Sequence, residues 1–432
     1  MSLFDHSGAA RLAATTRTPP WLAPLSGSAR DNWLKSELPH ARTEDWRHTS
    51  LAALNQDEYL RFDDNAAADL QGHAQELSQH YSLEGISGTR LVFVNGEYSA
   101  GLSSPAAPEQ PGITRFSDAS AAQQALITRH LGEIAPAEHP FATLNSSWLE
   151  DGVLCHFDQQ DTDQAPVHIV HLTTRLERAF TARQRLLVVV EPQCQGTVIE
   201  HFVSDRSTQN SFTSGVSEFL IGAGARLNHY RLHLEEEHAI HIGGVYARLA
   251  NDAVLDSFCL ALGGQLKRLD LRILHQGKGS ECHLNGVYLS KGQQHVDLHS
   301  TVEHQEAHGT TSEVFRGIVN DQARAVFNGR IHIHPQAQKT LAELSNRNLL
   351  LSNRAELYTK PELEIYADDV RCAHGATVAQ IDEQALYYLQ SRGIDRSEAQ
   401  VMLSFGFINE LLDQLPLEPV RLRLRPVLTD WF

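Results

Sequence analysis

The sequence predicts a mainly β protein in which a long series of short strands lies between two α-helical regions. In the central region, short segments such as Arg226–Leu232 alternate polar and apolar residues, which is typical of strands with one buried face. No helix-like stretch of respectable length separates these segments, and this argues against alternating strand–helix units. We therefore predict a mostly helical N-terminal domain at residues 1–160, a β core at 161–375 and a helical C-terminal domain at 376–432.

The predicted β core contains a succession of strand-like segments rich in β-branched and apolar residues. They are Val167–Leu172, Leu186–Val190, Thr197–Val203, Ser217–Ile221, Arg226–Leu232, Val254–Leu260, Leu269–Leu274, His295–Val302 and Ala325–His332. Each segment is short, as expected for strands in a globular domain.

Glycine recurs through this core at intervals of 20 to 23 residues between Gly222 and Gly329. A repeat of this length suits one turn of a β-solenoid, in which glycine allows the corner. Hairpin turns in a β-sandwich would also place glycines between strands, so both architectures remain open. Few Asn-Gly or Asp-Gly pairs, which favour two-residue hairpins, occur in the region, and this weighs slightly toward the solenoid.

The N-terminal domain is predicted to contain helices at Ala66–Tyr81 and Ser117–Leu131, where alanine-rich and charged stretches occur. A strand is predicted at Thr89–Val94, and a break rich in proline, glycine and serine at Ser103–Gly112. This mixture differs from the regular strand pattern of the β core.

The C-terminal domain is predicted to contain two helices with recognisable end signals. Asp382 can cap a helix that runs through Leu389 and stops at Gly393. Asp395 can cap a second helix, in which Glu398 occupies the third position of a capping box.

The second C-terminal helix has one apolar face, and Pro416 is predicted to end it. Packing against its own domain is the ordinary use of such a face, and contact with a partner protein is the alternative. The face contains Val401, Met402, Phe405, Ile408, Leu412 and Leu415.

The composition excludes several classes of function. Lys and Arg total 36 against 53 Asp and Glu, so the net charge is -17, which disfavours nucleic acid and anionic membranes as partners. No apolar run approaches the length of about 20 residues that a membrane-spanning helix needs. The N-terminus shows no pattern of a secretory signal, and the five cysteines form no closely spaced pairs, so we expect reduced thiols and a cytoplasmic location.

Common enzyme signatures are missing, and in particular no GxxxxGK[ST] motif that would bind ATP is found. Cysteine and histidine lie close together in three places, of which Cys372 and His374 are the most informative. Residues two apart on a strand point to the same side, so these two side chains can face one metal ion or cluster. Thiolate and imidazole suit iron–sulfur species, zinc or copper, but two ligands do not complete a site.

The other histidine and cysteine pairs carry less weight. In Cys155-His156 and Cys282-His283 the neighbours point to opposite sides of a strand. His238 and His241 are too close in sequence for a helical metal pair, and their surroundings are not helical in pattern. With 24 histidines in the chain, the remaining pairs are interpreted as surface polar positions, namely His295/His299, His304/His308 and His332/His334.

Several long motifs in the C-terminal third resemble the SufB/SufD family. They are NRNLLLSN at residues 346–353, TKPELEIYADDVRCAHGAT at 359–377 and YYLQSRG at 387–393. FNGRI at 327–331 and RTEDWRHT at 42–49 also fit, so the resemblance spans most of the chain and is strongest from about 315 to 415. The N-terminal cysteine cluster that is usual in SufB is absent, which makes the chain more similar to SufD. Ala373, where serine is frequent, and Val378-Ala379, where glycine often follows the valine, depart from the pattern without removing a ligand atom.

The resemblance implies a right-handed parallel β-helix flanked by helical domains. It also implies a non-catalytic scaffold that pairs with SufB and binds SufC, the subunit that holds and hydrolyses ATP. A transient iron–sulfur cluster would be assembled at the SufB interface with the help of His374 and Cys372, which links the chain to iron acquisition. The SufC docking region would include Glu398, Met402, Phe405 and Leu412.

Two other functions are compatible with parts of the sequence. A β-helix enzyme acting on polysaccharides would be expected to have a secretory signal and clustered aromatic residues, and aromatics make up only 7% of the chain. A stand-alone histidine-rich metal-binding protein would retain metal without partners. An exposed strand edge would also permit a homodimer when SufB is absent.

Overall fold

The computed structural model describes residues 17–55, 59–61, 74–104, 112–158, 165–176, 178–205 and 209–432. Its strands are β1 (Leu60–Arg61), β2 (Arg90–Val94), β3 (Glu97–Tyr98), β4 (Ile113–Arg115), β5 (Val153–Phe157), β6 (Val167–Thr173), β7 (Phe180–Val190), β8 (Gln195–Ser204), β9 (Ser211–Ile221), β10 (Arg226–Leu234), β11 (Ile240–Leu249), β12 (Val254–Leu262), β13 (Leu266–His275), β14 (Glu281–Ser290), β15 (His295–His304), β16 (Thr310–Val319), β17 (Arg324–Ile333), β18 (Leu341–Leu350), β19 (Glu356–Ile365) and β20 (Arg371–Gln380). Its α-helices are α1 (Ala23–Trp33), α2 (Ala74–Ser78), α3 (Ala121–His130), α4 (Pro140–Ser147), α5 (Glu383–Ser391), α6 (Arg396–Asp413) and α7 (Glu418–Trp431).

The strands wind into a parallel β-solenoid of about seven turns, because each strand from β5 onward pairs with the strand two places later. Odd-numbered strands from β5 to β19 form one long sheet, and even-numbered strands from β6 to β20 form the other. We call them the odd sheet and the even sheet. The mainly β fold class and the solenoid are confirmed, and the sandwich alternative is wrong. The right-handed sense of the winding and the three-domain division stay predictions.

One turn of the solenoid is longer than the glycine spacing suggests. Strand pairing joins Ile240 to Leu266 and Val153 to Leu186, and both pairs lie farther apart in the chain than successive glycines do. The glycine interval is therefore not the structural repeat. Some of those glycines lie at corners, as at Gly224 with a φ of +63°, whereas Gly286 lies inside β14, where an added Cβ would meet the Phe315 ring at 2.4 Å.

The interior between the two sheets holds the main apolar core. In each strand, alternate residues point inward, and identical register positions stack along the solenoid. Leu255 and Cys282, for example, are paired and both fully buried. Fully burying one such leucine contributes roughly 1.5 to 3 kcal/mol, so successive turns stabilise each other through their inward rows.

The terminal regions cover the outer faces of the sheets. Trp33, Trp46 and Phe141 pack on the odd sheet, and α6 and α7 fold back to cover the even sheet with residues such as Leu412 and Leu428. Arg423 on α7 donates a hydrogen bond to the carbonyl oxygen of His80 at 2.7 Å. The N-terminal and C-terminal regions therefore meet over the even sheet.

The helix positions and N-cap residues predicted near the C-terminus agree with the structure, whereas the return contact from the Glu398 side chain that would close a capping box is not among the contacts of the described residues. The Asp382 side chain accepts a hydrogen bond from the Gln384 N–H, and Asp395 Oδ1 accepts from the N–H groups of Ser397 and Glu398. Gly393 follows α5 with a φ of +85°. Helix α7 was not predicted, since proline residues at its start and at position 426 hide its helical pattern.

The N-terminal predictions are tested in part. Helix α3 lies inside the predicted Ser117–Leu131 segment, and Ser120 and Gln123 form its capping box. Half of Ala66–Tyr81 and most of Ser103–Gly112 lie outside the described residues. Helix α2 occupies part of the described half of Ala66–Tyr81.

The interpretation of six histidines as surface residues is wrong for His304, which is buried, and agrees with the exposed position of His308. The other four are partly buried, namely His295, His299, His332 and His334. His304 is fully buried and stacks on His275, with ring centroids 4.1 Å apart. Burial lowers the pKa of His304 to about 4, so its ring is neutral at physiological pH. His201 is buried in the same way, and burial lowers its pKa to about 3.

Glu313 on β16 is a buried carboxyl group that lacks a good partner. The side chain points into the solenoid, and neither carboxylate oxygen makes a hydrogen bond of good geometry with a described residue. Burial raises its pKa to about 7, and the Ser300 hydroxyl lowers it only in part. Because the folded state favours the protonated form, this group destabilises the fold as pH rises from about 4.5 to 7.

We expect Glu313→Gln to remove this pH-dependent penalty. The unfolding free energy of the variant should exceed that of the wild type by up to about 3 kcal/mol at pH 8 and by little at pH 5. Chemical denaturation at both pH values measures the difference. Glu343→Gln, an exposed carboxylate on β18, is the matched control and should show no such pH dependence. A constant difference between Glu313→Gln and wild type at both pH values would contradict the prediction.

Candidate functional site

The candidate site lies on β20, the last strand of the even sheet. Among the described strands β20 pairs only with β18, so its other edge carries no further turn. Most of its side chains are exposed. Parallel strand edges of this kind are open to pairing with another chain.

Cys372 and His374 lie on the inward-facing side of β20. Cys372 pairs with Ala342 and His374 pairs with Leu344, and both partners belong to the interior apolar core. Cys372 is half-buried and packs against this core, whereas His374 is exposed. The shared side predicted from their spacing is thus present, and the missing next turn leaves it open.

This arrangement can supply two ligands but not a complete site. Burial raises the pKa of the Cys372 thiol, so the thiolate needs a nearby cation or metal to form readily. Among the described residues, no third histidine, cysteine or carboxylate joins these two in a metal-type group. Further ligands for a metal or cluster would have to come from outside the described part of the chain.

The other cysteine–histidine pairs behave as their spacing predicts. Cys282 is fully buried in the interior, while His283 points out and its Nδ1 lies 2.6 Å from Asp256 Oδ1. Cys155 is fully buried, and His156 Nε2 lies 3.0 Å from Glu191 Oε1. Neither pair presents both side chains to one place.

A buried polar network anchors β20 to the preceding turns. Asn348 Nδ2 donates to the Thr377 carbonyl oxygen at 3.2 Å and to Asn346 Oδ1 at 2.6 Å. The Tyr288 hydroxyl donates to Asn348 Oδ1, and Asn346 Nδ2 donates to the Tyr288 oxygen at 3.0 Å. This network fixes the strand that carries Cys372 and His374.

We expect Asn348→Ala to loosen β20 selectively. The substitution leaves the buried Tyr288 hydroxyl without its acceptor, which costs roughly 1 to 3 kcal/mol. Hydrogen exchange should therefore accelerate in β20 more than in β10. Exchange on the intact chain, followed by peptic digestion and mass spectrometry of the peptides, measures this. Arg354→Ala, at an exposed position in the turn after β18, is the control and should leave exchange in β20 unchanged.

The four residues predicted to bind a partner occupy different environments on α6. Glu398 is exposed and Met402 is 48% exposed, so both are accessible. Phe405 is partly buried, and Leu412 is fully buried against the even sheet. Leu412 therefore stabilises the chain itself, and any docking surface on α6 consists of the exposed residues.

Sequence reasoning did not single out the most exposed aromatic residues near this helix. Tyr387 and Tyr388 on α5 are 74% and 58% exposed. Large exposed aromatics are common in protein interfaces. They lie in the YYLQSRG motif that contributed to the family resemblance, which was the available signal.

Comparison with known proteins identifies the family of the chain. Residues 171–407 match a family model described as the SufBD core domain of SUF-system iron–sulfur cluster assembly. The chain belongs to the SufBD family. Residues 9–169 match the N-terminal region of SufBD proteins, so the two matches together cover most of the chain.

Individual SufBD relatives agree with this assignment. A SufBD family protein of Synechocystis is 31% identical over 93% of this chain and 88% of its own length. The assembly protein SufD of Escherichia coli is 30% identical over 88% of this chain and 86% of its own length, and SufD of Bacillus subtilis is 26% identical over 67% and 66%. Family membership supports a role in iron–sulfur cluster assembly as a non-catalytic component.

The helices contain no candidate membrane span. Within the described ranges, none combines the length and the apolar character needed to cross a bilayer.

Proposed function

We propose that this SufBD family chain is a scaffold subunit of a SUF complex, paired with SufB and bound to the ATPase SufC. The observation that carries the proposal is the incomplete ligand pair at the open end of the solenoid. Cys372 and His374 lie on a strand edge that has no further turn among the described strands, so a partner strand can both extend the sheet and bring additional ligands.

In this proposal the iron–sulfur cluster is cargo that is held only transiently. His374 would contribute an imidazole from the exposed end of the solenoid, and Cys372 would contribute a thiolate or bind sulfur beside it. The chain would bind no tight cofactor of its own, ATP would be bound and hydrolysed by SufC, and the complex would work in the cytoplasm. The open edge would also allow a homodimer when SufB is absent.

The SufC docking surface is proposed to lie on α5 and α6. Met402 and Glu398 are accessible on α6, and Tyr387 and Tyr388 add exposed aromatic surface on α5. Buried Leu412 would support this surface from beneath by holding α6 on the even sheet.

Co-expression with SufB and SufC of the same organism tests the proposal. Size-exclusion chromatography with mass determination should yield a complex with one copy of this chain, one SufB and two SufC. Elution of the chain alone, or with neither partner enriched, would refute the scaffold role. Tyr387→Ala combined with Tyr388→Ala should reduce the SufC content of the complex while SufB remains.

A further inference from the structure

Four side chains from β10, the bend that follows it, β11 and β13 converge at one corner inside the solenoid. His233 lies near the end of β10, Glu235 directly follows that strand, and His241 and Lys267 are register partners on β11 and β13. All four residues are at most 5% exposed. We call this group the corner cluster. The sequence around His238 and His241 does not predict a helical metal pair, because its pattern is not helical.

The ligand-type atoms of the corner cluster are close enough to share an ion. One ligating atom from each of His233, Glu235 and His241 lies within 4.8 Å of the other two. Two ligands on opposite sides of a transition-metal ion at about 2.1 Å lie about 4.2 Å apart, so modest side-chain rotation would suffice. Among the described residues, no other three histidine, cysteine or carboxylate side chains meet this condition.

Several atoms of the corner cluster are buried and make no hydrogen bond with a described residue. They are His233 Nδ1, Glu235 Oε2, His241 Nε2 and Lys267 Nζ. On the adjoining turn, Glu236 Oε1 is also buried and makes no hydrogen bond with a described residue. Buried polar atoms without partners are uncommon in folded proteins and often indicate an unoccupied water or ion position.

The Lys267 ammonium group already supplies one positive charge at this position. Lys267 Nζ lies 3.2 Å from Glu235 Oε2, in an ion pair of poor hydrogen-bond geometry. The two carboxylates of Glu235 and Glu236 carry one more negative charge than Lys267 balances. Burial lowers the pKa values of His233 and His241 and so keeps both imidazoles neutral. The corner cluster therefore offers two neutral imidazoles and a carboxylate beside a tethered cation.

We propose that the corner cluster is an exchangeable binding site for a divalent transition-metal ion, with Lys267 as the built-in cation that the metal displaces. Two imidazoles and one carboxylate suit Fe²⁺, Mn²⁺, Co²⁺ or Zn²⁺. His241 Nδ1 lies 3.0 Å from Glu235 Oε1, so this imidazole and the carboxylate proposed to bind the same ion are already neighbours.

Three contacts must open when the metal binds, and they make binding weak. The hydrogen bond between His241 and Glu235 must be replaced by bonds to the metal. The ammonium group of Lys267 must leave Glu235. Arg231 Nε also donates to His233 Nε2 at 3.1 Å, which places the ring proton on Nδ1, so that contact must be lost before Nδ1 can bind metal. The short turn at residues 235–239 adjoins the corner and carries exposed Glu237 and His238.

Cobalt binding by the full-length chain tests the site. Equilibrium dialysis and the visible absorption of Co²⁺ should show weak binding by wild type and at least tenfold tighter binding by Lys267→Met, which removes the competing charge. His241→Phe, which keeps an aromatic ring beside Phe202, should lose binding, and His238→Ala should behave like wild type.

A charge-balanced double variant distinguishes loss of metal binding from unfolding. Glu235→Gln combined with Lys267→Met removes one charge of each sign, so the net charge of the corner is unchanged. This double variant should fold without binding Co²⁺, as circular dichroism and dialysis would show. Equal binding by wild type and Lys267→Met, or binding retained in His241→Phe, would overturn the proposal. The site is independent of the scaffold role. His374→Ala should therefore leave Co²⁺ binding at the corner cluster unchanged.

Discussion

His374→Ala should abolish most cluster formation by the assembled complex while leaving the chain folded. The imidazole is exposed on the last strand, so its removal should change the unfolding free energy by no more than about 0.5 kcal/mol. Loss of a ligand should reduce cluster formation by about tenfold or more, since even outer-shell partners of metal ligands change affinity by about 10-fold to 100-fold. The absorbance of iron–sulfur clusters in the purified complex measures the effect.

Thr377→Ala is the matched control for this experiment. Thr377 is also exposed on β20 but lies on the opposite side of the strand from His374, and only its backbone carbonyl serves the buried polar network. Cluster formation should be unchanged in this variant. If His374→Ala forms clusters normally in a complex of normal composition, then the residue has no part in cluster assembly.

The position of this site illustrates what the sequence could and could not predict. Two-residue alternation correctly placed Cys372 and His374 on one side of a strand. That this strand ends the even sheet depends on β18 pairing with β20 across a whole turn of the solenoid, as Leu341 does with Arg371. Such long-range register leaves no local pattern in the chain.

Strand prediction succeeded for nine segments of the core but missed several other strands. All nine segments predicted in the core lie within observed strands, including Val254–Leu260 in β12. The strands that were missed include β16, where Thr311 and Glu313 point inward, and β19, where Pro361 interrupts the pattern. In a solenoid, stacked turns enclose an inward residue whatever its polarity, so hydrophobicity alone underestimates the number of strands.

The corner cluster was missed for a related reason. Its histidines lie at the adjoining ends of β10 and β11, and its carboxylate lies in the bend between these strands. They meet Lys267 only through the pairing of β11 with β13. The sequence did show His238 and His241 close together, yet the structure places His238 on the surface beside Glu236 and gives His241 other partners.

Leu412→Asp should strongly destabilise the fold. The leucine is fully buried between α6 and the even sheet, and a carboxylate there would have to be desolvated or protonated. Together with the lost apolar contacts, this should lower the unfolding free energy by about 3 to 5 kcal/mol. A shift of the unfolding midpoint in urea, followed by circular dichroism, measures it.

Met402→Asp separates docking from folding on the same helix. Met402 is 48% exposed, so the same change of charge should alter stability by at most about 0.5 kcal/mol. If α6 forms part of the SufC docking surface, this variant should weaken SufC binding by about tenfold, as expected for loss of a central apolar contact. Titration of SufC against each variant by calorimetry distinguishes the two roles: weaker binding with unchanged stability identifies a contact residue. Unchanged binding by Met402→Asp would remove this face of α6 from the proposed docking surface.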